Sequence, residues 1–176
     1  MKAVFDKLYD SYHKDLFQFI FYMVKDKPLT EDLVQEVYIR VLNSYASFKG
    51  ESSEKTWLFS IAKHVTYDHF RKKKRKAQRI LDFFDWSERG ETIPDQNALP
   101  EEIAIQSDEM QRIYKYLDKC TVDQKSVLLL RFIQSFSIQE TAEVLNFSIS
   151  KVKTVQHRGL KTLRKYLESE EKGGEI

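Results

Sequence analysis

Apolar residues recur at three- and four-residue spacing along the first half of the chain, which indicates amphipathic helices. Pro28 is predicted to end the first helix and Thr30 to cap the second, while Gly50 breaks the pattern before Ser52 or Ser53 caps a third. The predicted buried positions are Phe5, Leu8, Tyr9, Tyr12, Leu16, Phe19, Ile20 and Met23, then Leu33, Val34, Val37, Tyr38, Val41, Leu42 and Tyr45, then Trp57, Leu58, Ile61, Ala62, Val65 and Phe70. These three helices could form one compact unit.

The helical pattern decays between residues 77 and 106 and returns beyond them. Gly90, Pro94 and Pro100 fall in this stretch, which we interpret as a linker. The spacing of Met110, Ile113, Tyr114 and Leu117 predicts a further helix, and that of Val127, Leu128, Leu130 and Phe132 predicts another after Thr121. The pattern therefore predicts an all-α chain with two small helical domains, at 1–76 and 107–172, joined by the linker.

Two consecutive helices with a short break are predicted at the end of the second domain. Ser137 and Glu140 have the spacing of a capping box, Asn146 ends the first helix, and Ser148 can cap the next. The second helix is predicted to bury Ile149, Val152, Val155, Leu160 and Leu163, and to expose Ser150, Lys151, Lys153, Thr154, His157 and Arg158. This arrangement is typical of a helix-turn-helix that reads a DNA major groove. The alternative is an ordinary helical hairpin with a solvated basic face.

Charge is distributed unevenly, although the net charge of the 176 residues is only +2. Residues 1–76 contain 15 Lys and Arg against 10 Asp and Glu, residues 77–106 contain 2 against 7, and residues 107–176 contain 12 against 10. The linker is therefore acidic and lies between two basic segments.

The basic run RKKKRK at 71–76 follows a polar helix face, formed by Thr56, Ser60, Lys63, His64, Tyr67, Asp68 and Arg71. Such a face suits single-stranded nucleic acid, and a plain solvated helix face is the alternative.

Enzyme chemistry finds little support in the sequence. The single cysteine excludes an intrachain disulfide, and the four histidines lack the H-E-x-x-H spacing of a metal site. No glycine-rich phosphate loop is present. We therefore expect no catalytic residue, no metal and no cofactor. With neither a signal peptide nor an apolar run of about 20 residues, the chain is expected to be cytoplasmic and not itself a membrane protein.

Three segments, in order, resemble the extracytoplasmic-function (ECF) subgroup of bacterial RNA polymerase sigma factors. They are TEDLVQEVYIRVLNSYASFKG at 30–50, TWLFSIAKHVTYDHFRKKKRK at 56–76 and FSIQETAEVLNFSISKVKTVQHRGLKTLRK at 136–165. The resemblance implies a specificity subunit that binds core RNA polymerase, directs it to promoter DNA and helps to open the downstream (minus-ten) element. It makes 1–76 sigma region 2 and 107–172 sigma region 4.

The resemblance also implies roles for particular residues. Core polymerase would be bound by Asp32, Gln35, Glu36 and Arg40. The melted minus-ten element would be contacted by Phe48, Lys49, Gly50, Trp57, Lys63, His64, Tyr67, Asp68 and Arg71. The upstream element would be read as duplex by Ser150, Lys151, Lys153, Thr154, His157 and Arg158.

Several positions depart from the family pattern or have another reading. Many members have Arg where this chain has Val155, and Asn where it has His64 and Asp68. Trp57 fits a core position better than a stacking platform.

The family further implies an anti-sigma factor as partner, commonly membrane-bound. Two rival hypotheses are an autonomous helix-turn-helix regulator and an RNA-binding or scaffold protein that uses RKKKRK.

Overall fold

The computed structural model describes residues 1–83 and 108–173, and both ranges are helical without a β-strand. The first range contains α1 (Lys2–Val24), α2 (Lys27–Ser44), a 3-10 turn (Tyr45–Ser47) and α3 (Glu54–Phe83). The second contains α4 (Asp108–Tyr116), a 3-10 turn (Leu117–Lys119), α5 (Val122–Leu128), a π turn (Leu129–Ile133), α6 (Ile138–Leu145) and α7 (Ile149–Gly173). The predicted all-α fold is confirmed. Among these helices, none combines the length and apolar character needed to cross a membrane.

The junction between α1 and α2 differs from the prediction. Lys25 closes α1 in the left-handed conformation, and its N–H donates to the carbonyl of Phe21 at 2.7 Å. Asp26, rather than Thr30, caps α2, because its Oδ1 accepts the N–H of Leu29 at 2.9 Å. Pro28 lies in the first turn of α2, where its missing N–H costs nothing. Pro28 therefore helps to start α2 and does not end α1.

Helix α3 begins as predicted but extends further. Ser53 is its cap, since the Ser53 Oγ accepts the N–H of Thr56 at 3.0 Å. The helix continues through the basic run to Phe83, so residues 77–83 of the predicted linker are helical. Residues 71–82 are all exposed, which explains why their apolar periodicity fades. Positions 84–106 of the predicted linker lie outside the described residues.

The predicted helix-turn-helix is confirmed by its caps. Ser137 Oγ accepts the N–H of Glu140 at 3.0 Å, and the Glu140 carboxylate accepts the N–H of Ser137 at 2.7 Å. Asn146 ends α6 in the left-handed conformation (φ 55°), which Asn tolerates well. Ser148 Oγ then accepts the N–H of Lys151 at 3.0 Å and starts α7. These caps define the ends of the short turn between α6 and α7.

Burial along α7 only partly follows the predicted stripe. Val152 and Leu163 are buried, whereas Ile149 and Leu160 are each 41% exposed. Their predicted burial is wrong. Gly159, which lies between Ile149 and Leu160 in the sequence, packs against α5. An added Cβ on Gly159 would be only 3.0 Å from Leu128 Cδ1. This close crossing brings α7 tightly onto α5 at one point and leaves neighbouring apolar positions at the edge of the contact.

A π turn brings the two helical ranges together. The N–H of Gln134 donates to Leu129 O and that of Phe136 to Leu130 O, both at 2.9 Å, which widens the turn before α6. Phe136 is thereby directed against Phe59 of α3, with ring centroids 5.1 Å apart. Both phenylalanines are buried, and neither was among the predicted core positions.

Candidate nucleic-acid interface

Helix α7 presents a continuous polar face to solvent. The six residues predicted to read duplex DNA, Ser150, Lys151, Lys153, Thr154, His157 and Arg158, are all exposed. Val152 and Gly159 on the opposite side are buried against the rest of the second range. The exposed side chains therefore project from the N-terminal half of the helix, which is the half that enters a major groove in a helix-turn-helix protein.

Lys151 is the member of this set with the most intramolecular contacts. Its Nζ lies 3.6 Å from the ring centroid of Phe147, in a cation–π contact. The same Nζ is 3.6 Å from Oδ2 of Asp123, at the start of α5. Lys151 therefore lies at the margin of the exposed α7 face and turns towards α5.

Val155 faces away from the exposed side chains of α7. It is half-buried and packs against the hydrophobic core. The apolar residue at this position therefore supports α7 by packing against the core.

Arg131 holds the helix-turn-helix in place, and sequence reasoning missed it. From the π turn, its guanidinium donates to the carbonyl of Phe136, just before α6, and its Nε donates to Gln156 Oε1 on α7 at 3.0 Å. One side chain thus links the entry of α6 to α7. An isolated arginine in an apolar segment was the only signal in the sequence.

The basic face of α7 also extends beyond the predicted residues. His157 and Arg158 line a groove that continues past Lys161, Arg164, Lys165 and Lys172. Glu168 is the acidic residue along its wall. The three- and four-residue spacing of these cations was visible in the sequence, and it extends the positive surface by several turns.

The loop between α2 and α3 is held by a cluster of three aromatic rings. The ring of Trp57 is 4.9 Å from that of Phe48 and 5.8 Å from that of Tyr45. Tyr45 also donates from its hydroxyl to Glu54 at 3.2 Å, and Lys7 pairs with the same carboxylate at 2.8 Å. Trp57 is half-buried in this cluster. The contacts of Trp57 with Tyr45 and Phe48 anchor the loop between α2 and α3.

Gly50 gives this loop its shape. Its φ is +70°, in the left-handed region where other residues are strained. No atom lies within 4 Å of the position that a Cβ would occupy. The glycine is therefore required by the backbone conformation and not by crowding.

The polar face of α3 carries the remaining residues predicted to contact melted DNA. His64 is exposed, and its Nδ1 is 2.7 Å from the carbonyl oxygen of Ser60. Lys63 Nζ lies 4.9 Å from the ring centroid of Tyr67. Burial lowers the pKa of Lys63, and the charge of Arg71 lowers it further. The face thus combines cationic, aromatic and hydrogen-bonding groups.

Tyr67 is drawn away from solvent by α5. Its hydroxyl donates to Asp123 Oδ1 at 2.9 Å and lies 2.9 Å from Ser126 Oγ. Burial raises the pKa of Tyr67 well above its ordinary value. Tyr67 is therefore half-buried between the two helical ranges in this structure.

An ionic network joins α2 to α3. Arg40 pairs with Glu36 on its own helix and lies 3.6 Å from Oδ2 of Asp68, which also pairs with Arg71. Partial burial opposes ionisation of Asp68, but the two arginines hold the pKa of its carboxyl below the usual value. The arginines offset the negative charge of Asp68, so the α3 face as a whole stays favourable to an anionic strand.

The residues predicted to bind polymerase lie on the outer face of α2. Asp32 and Gln35 are exposed, and Glu36 and Arg40 are half-exposed. The buried side of the same helix is formed by Leu33, Val34, Val37, Tyr38 and Val41. The four polar side chains thus share a surface that makes no contribution to the core.

Comparison with known proteins agrees with this arrangement. The family described as Sigma-70 region 2 matches residues 8–76, and that described as Sigma-70, region 4 matches residues 116–165. Among solved structures, the sigma factor RpoE from Bartonella quintana, in complex with the anti-sigma factor NepR, is similar with a TM-score of 0.77. That match covers 96% of this chain and 98% of RpoE at 24% identity, and it bears on the fold.

Individual sigma factors match this chain at higher sequence identity than RpoE does. The ECF RNA polymerase sigma factor SigX of Bacillus subtilis (strain 168) is 61% identical over 168 residues, which cover 96% of this chain and 86% of SigX. SigW of the same organism, also an ECF RNA polymerase sigma factor, is 31% identical over 93% of this chain and 88% of its own. The chain belongs to the ECF RNA polymerase sigma factors.

Proposed function

We propose that this sigma factor reads an upstream promoter element with α7 and captures a melted downstream strand with the α2–α3 loop and the outer face of α3. Core RNA polymerase binds to the outer face of α2. The factor contributes binding free energy and makes or breaks no covalent bond itself. Because it acts with polymerase on chromosomal DNA, we assign it to the cytoplasm.

The observation that carries this proposal is the exposed face of α7. Lys153, Thr154, His157 and Arg158 occupy consecutive turns of a capped helix and are free of the core. Lys and Arg can donate to guanine O6 and N7, and Thr can contact a phosphate or a base edge. Ser150 and Lys151, at the helix start, are suited to phosphate contact, because the positive end of the helix dipole also favours an anion there.

The proposed downstream contacts divide into a loop and a helix face. Moving a base out of the DNA stack costs a few kcal/mol, and contacts with a preformed loop must offset this cost. The loop from Phe48 to Gly50 has a backbone held by its aromatic base, so this shape exists before DNA binds. Lys49 and Arg71 place positive charge beside the DNA backbone, while His64 and Tyr67 provide rings for contact with the unstacked bases. Trp57 supports the loop from beneath.

The proposed domain limits follow from these roles. We assign 1–76 to polymerase and minus-ten binding, 77–106 to the linker, and 107–172 to upstream-element binding. The match to Sigma-70 region 2 ends at residue 76, which supports the first limit, although α3 itself continues to Phe83.

We further propose an anti-sigma factor as a regulatory partner, membrane-bound as is common in the family. Support comes from structurally similar proteins: RpoE was solved with the anti-sigma factor NepR, and CnrH with the cytosolic domain of CnrY. An autonomous helix-turn-helix regulator is disfavoured, because such a protein has no need of the additional Sigma-70 region 2 segment.

Substitution of Gly50 tests the proposed strand capture. In Gly50→Val, a β-branched residue must occupy φ +70°, at a cost of about 1–3 kcal/mol, or the loop must change shape. We expect polymerase to be bound normally, while the fluorescence of 2-aminopurine in the downstream element no longer rises on promoter binding.

Gly173→Val is the matched control. It makes the same chemical change in open space and without a left-handed backbone, so promoter opening should be unaffected. Normal opening by Gly50→Val would contradict the role of this loop.

A further inference from the structure

Arg131 joins the start of α6 to the N-terminal half of α7. Its Nη1 donates to the carbonyl of Phe136, the residue before the Ser137 cap, and its Nε donates to Gln156 Oε1 at 3.0 Å. The guanidinium carbon also lies 5.8 Å from the ring centroid of Phe132. Because a guanidinium is planar and its donors point in fixed directions, two hydrogen bonds to different segments hold those segments in a defined relation.

The π turn places Arg131 within reach of α7. Leu129 and Leu130, just before it, are buried, while Arg131 is half-buried at the surface of the turn. A π turn contains more residues per turn than an α-helix, so it changes the direction of the side chains that leave it. Single π turns are frequent at functional sites. The local backbone therefore directs this arginine at the helix-turn-helix.

Gln156 lies at the edge of the α7 face that is proposed to read DNA. It is half-buried, whereas Gly159 is buried and Lys153 and His157 are exposed. Residues three positions apart are neighbours on a helix surface, so Gln156 adjoins both Lys153 and Gly159. His157 follows it directly in the sequence. A restraint on the Gln156 side chain therefore acts at the level of α7 where the proposed base contacts are made.

This restraint differs in kind from the apolar packing of α7. Val152 is buried, and Gly159 lies against Leu128 of α5. Burial of apolar surface is non-directional, so it holds α7 against its neighbours with less control of which way the outer face points. The hydrogen bond from Arg131 to Gln156 requires an angle as well as a distance. It therefore restrains the rotation of α7 about its own axis.

The contacts of Arg131 leave its positive charge in place. Both acceptors are neutral oxygens, the backbone carbonyl of Phe136 and the side-chain amide of Gln156. In Gln156→Glu, a carboxylate would accept a stronger, charge-assisted bond from the same guanidinium, but it would add a negative charge beside the DNA. The geometric effect of the contact can therefore be separated from the effect of charge by substitution.

We propose that Arg131 and Gln156 form a positioning pair, which sets the rotation of α7 in the major groove so that Lys153 and His157 meet the correct base edges. The proposal rests on the reading of the upstream element by α7 given above. Base contacts require donors and acceptors to align within the narrow range of hydrogen-bond geometry, whereas phosphate contacts carry no sequence information directly. Loss of the pair should therefore reduce discrimination between sequences and spare general affinity for DNA.

Methionine substitutions test the pair, because methionine is unbranched and flexible and offers only a weak acceptor. Arg131→Met, Gln156→Met and the double variant are compared with Gln111→Met, which makes the same change on an exposed part of α4. Circular dichroism is recorded for each variant to establish that its helices remain.

Each variant is assembled with core polymerase for the binding measurement. Affinity is measured for a promoter fragment identified by run-off transcription and for the same fragment with its upstream element replaced. The ratio of the two dissociation constants gives the discrimination. A role in folding alone would weaken binding to both fragments equally, so it would leave this ratio unchanged.

We expect each methionine variant of the pair to lose about fivefold or more of the discrimination, which is the lower end of what one base contact supplies. The double variant should lose no more than the more affected single variant, since both substitutions remove the same bond. Gln156→Glu should keep the discrimination, because its carboxylate still accepts from Arg131, although its affinity for both fragments falls.

Discrimination equal to that of Gln111→Met in both single variants would overturn the positioning pair. So would additive losses in the double variant, equal weakening of both fragments, or a loss in Gln156→Glu as large as that in Gln156→Met. Failure of the proposed upstream reading gives a different result: the unsubstituted chain itself would bind both fragments equally well.

Discussion

Replacing Lys153 and Arg158 together with Ala is expected to remove sequence-specific binding to the upstream element. Both side chains are exposed on α7 and lie outside the core, so folding should be retained. Each lost base contact should cost about 1–3 kcal/mol, or roughly 5- to 150-fold in affinity. Competition between promoter and unrelated duplex, measured with the holoenzyme, checks this result.

Lys161→Ala with Arg164→Ala provides the matched control for charge. These residues follow the same groove beyond the proposed base-reading positions. If they contact only phosphates, their loss should weaken binding equally for all sequences and reduce its salt dependence. An unchanged preference for promoter duplex in the Lys153 and Arg158 variant would contradict base reading by α7.

Reversing charge at Asp32 and Glu36 is expected to prevent assembly with core polymerase. Both carboxylates lie one turn apart on the outer face of α2, away from its buried side. Like charges brought together at an interface cost several kcal/mol, so Asp32→Lys with Glu36→Lys should weaken polymerase binding at least about 100-fold. Affinity is measured by fluorescence anisotropy of the labelled factor.

Asp6→Lys with Asp10→Lys is the control for this change. These two exposed carboxylates of α1 have the same four-residue spacing, so the pair reproduces the change in net charge. Equal loss in both pairs would mean that overall charge, and not the α2 surface, determines polymerase binding.

Local signals made much of the fold predictable from sequence. The Ser137 and Glu140 spacing correctly identified a capping box, because the pairing depends on side chains only three residues apart. Asn146 and Ser148 were likewise correctly identified as the turn and the next cap. The exposed face of α7 followed from the same helical period, so the candidate upstream site was found without tertiary information.

Features that depend on distant contacts were not predictable. Phe59 and Phe136 are buried by each other across 77 positions of sequence, and helical periodicity carries no information on such a pairing. Leu160 belongs to the apolar stripe of α7, but it lies at the edge of the close crossing of α7 and α5 at Gly159 and lines an open apolar groove. Periodicity identifies the stripe, whereas the crossing of two helices decides which part of it is covered.

The assignment of Pro28 failed for a different reason. Proline is unfavourable inside a helix but favourable in its first turn, so its presence marks a boundary without telling which side is helical. Asp26, two residues before Pro28, accepts the N–H of Leu29 and caps α2, so the helix lies on the C-terminal side of Pro28. An aspartate just before a proline should therefore be weighed as a cap for the helix that follows.

Run-off transcription with purified core RNA polymerase and a library of promoter fragments, in the presence and absence of this chain, tests whether the chain directs polymerase to promoters. We expect start sites that appear only with the chain and share two short elements about two helical turns apart. Lys153→Ala with Arg158→Ala should lose those start sites. Unchanged start sites, together with sequence-specific binding of duplex DNA by the chain alone, would contradict a role in directing polymerase to promoters.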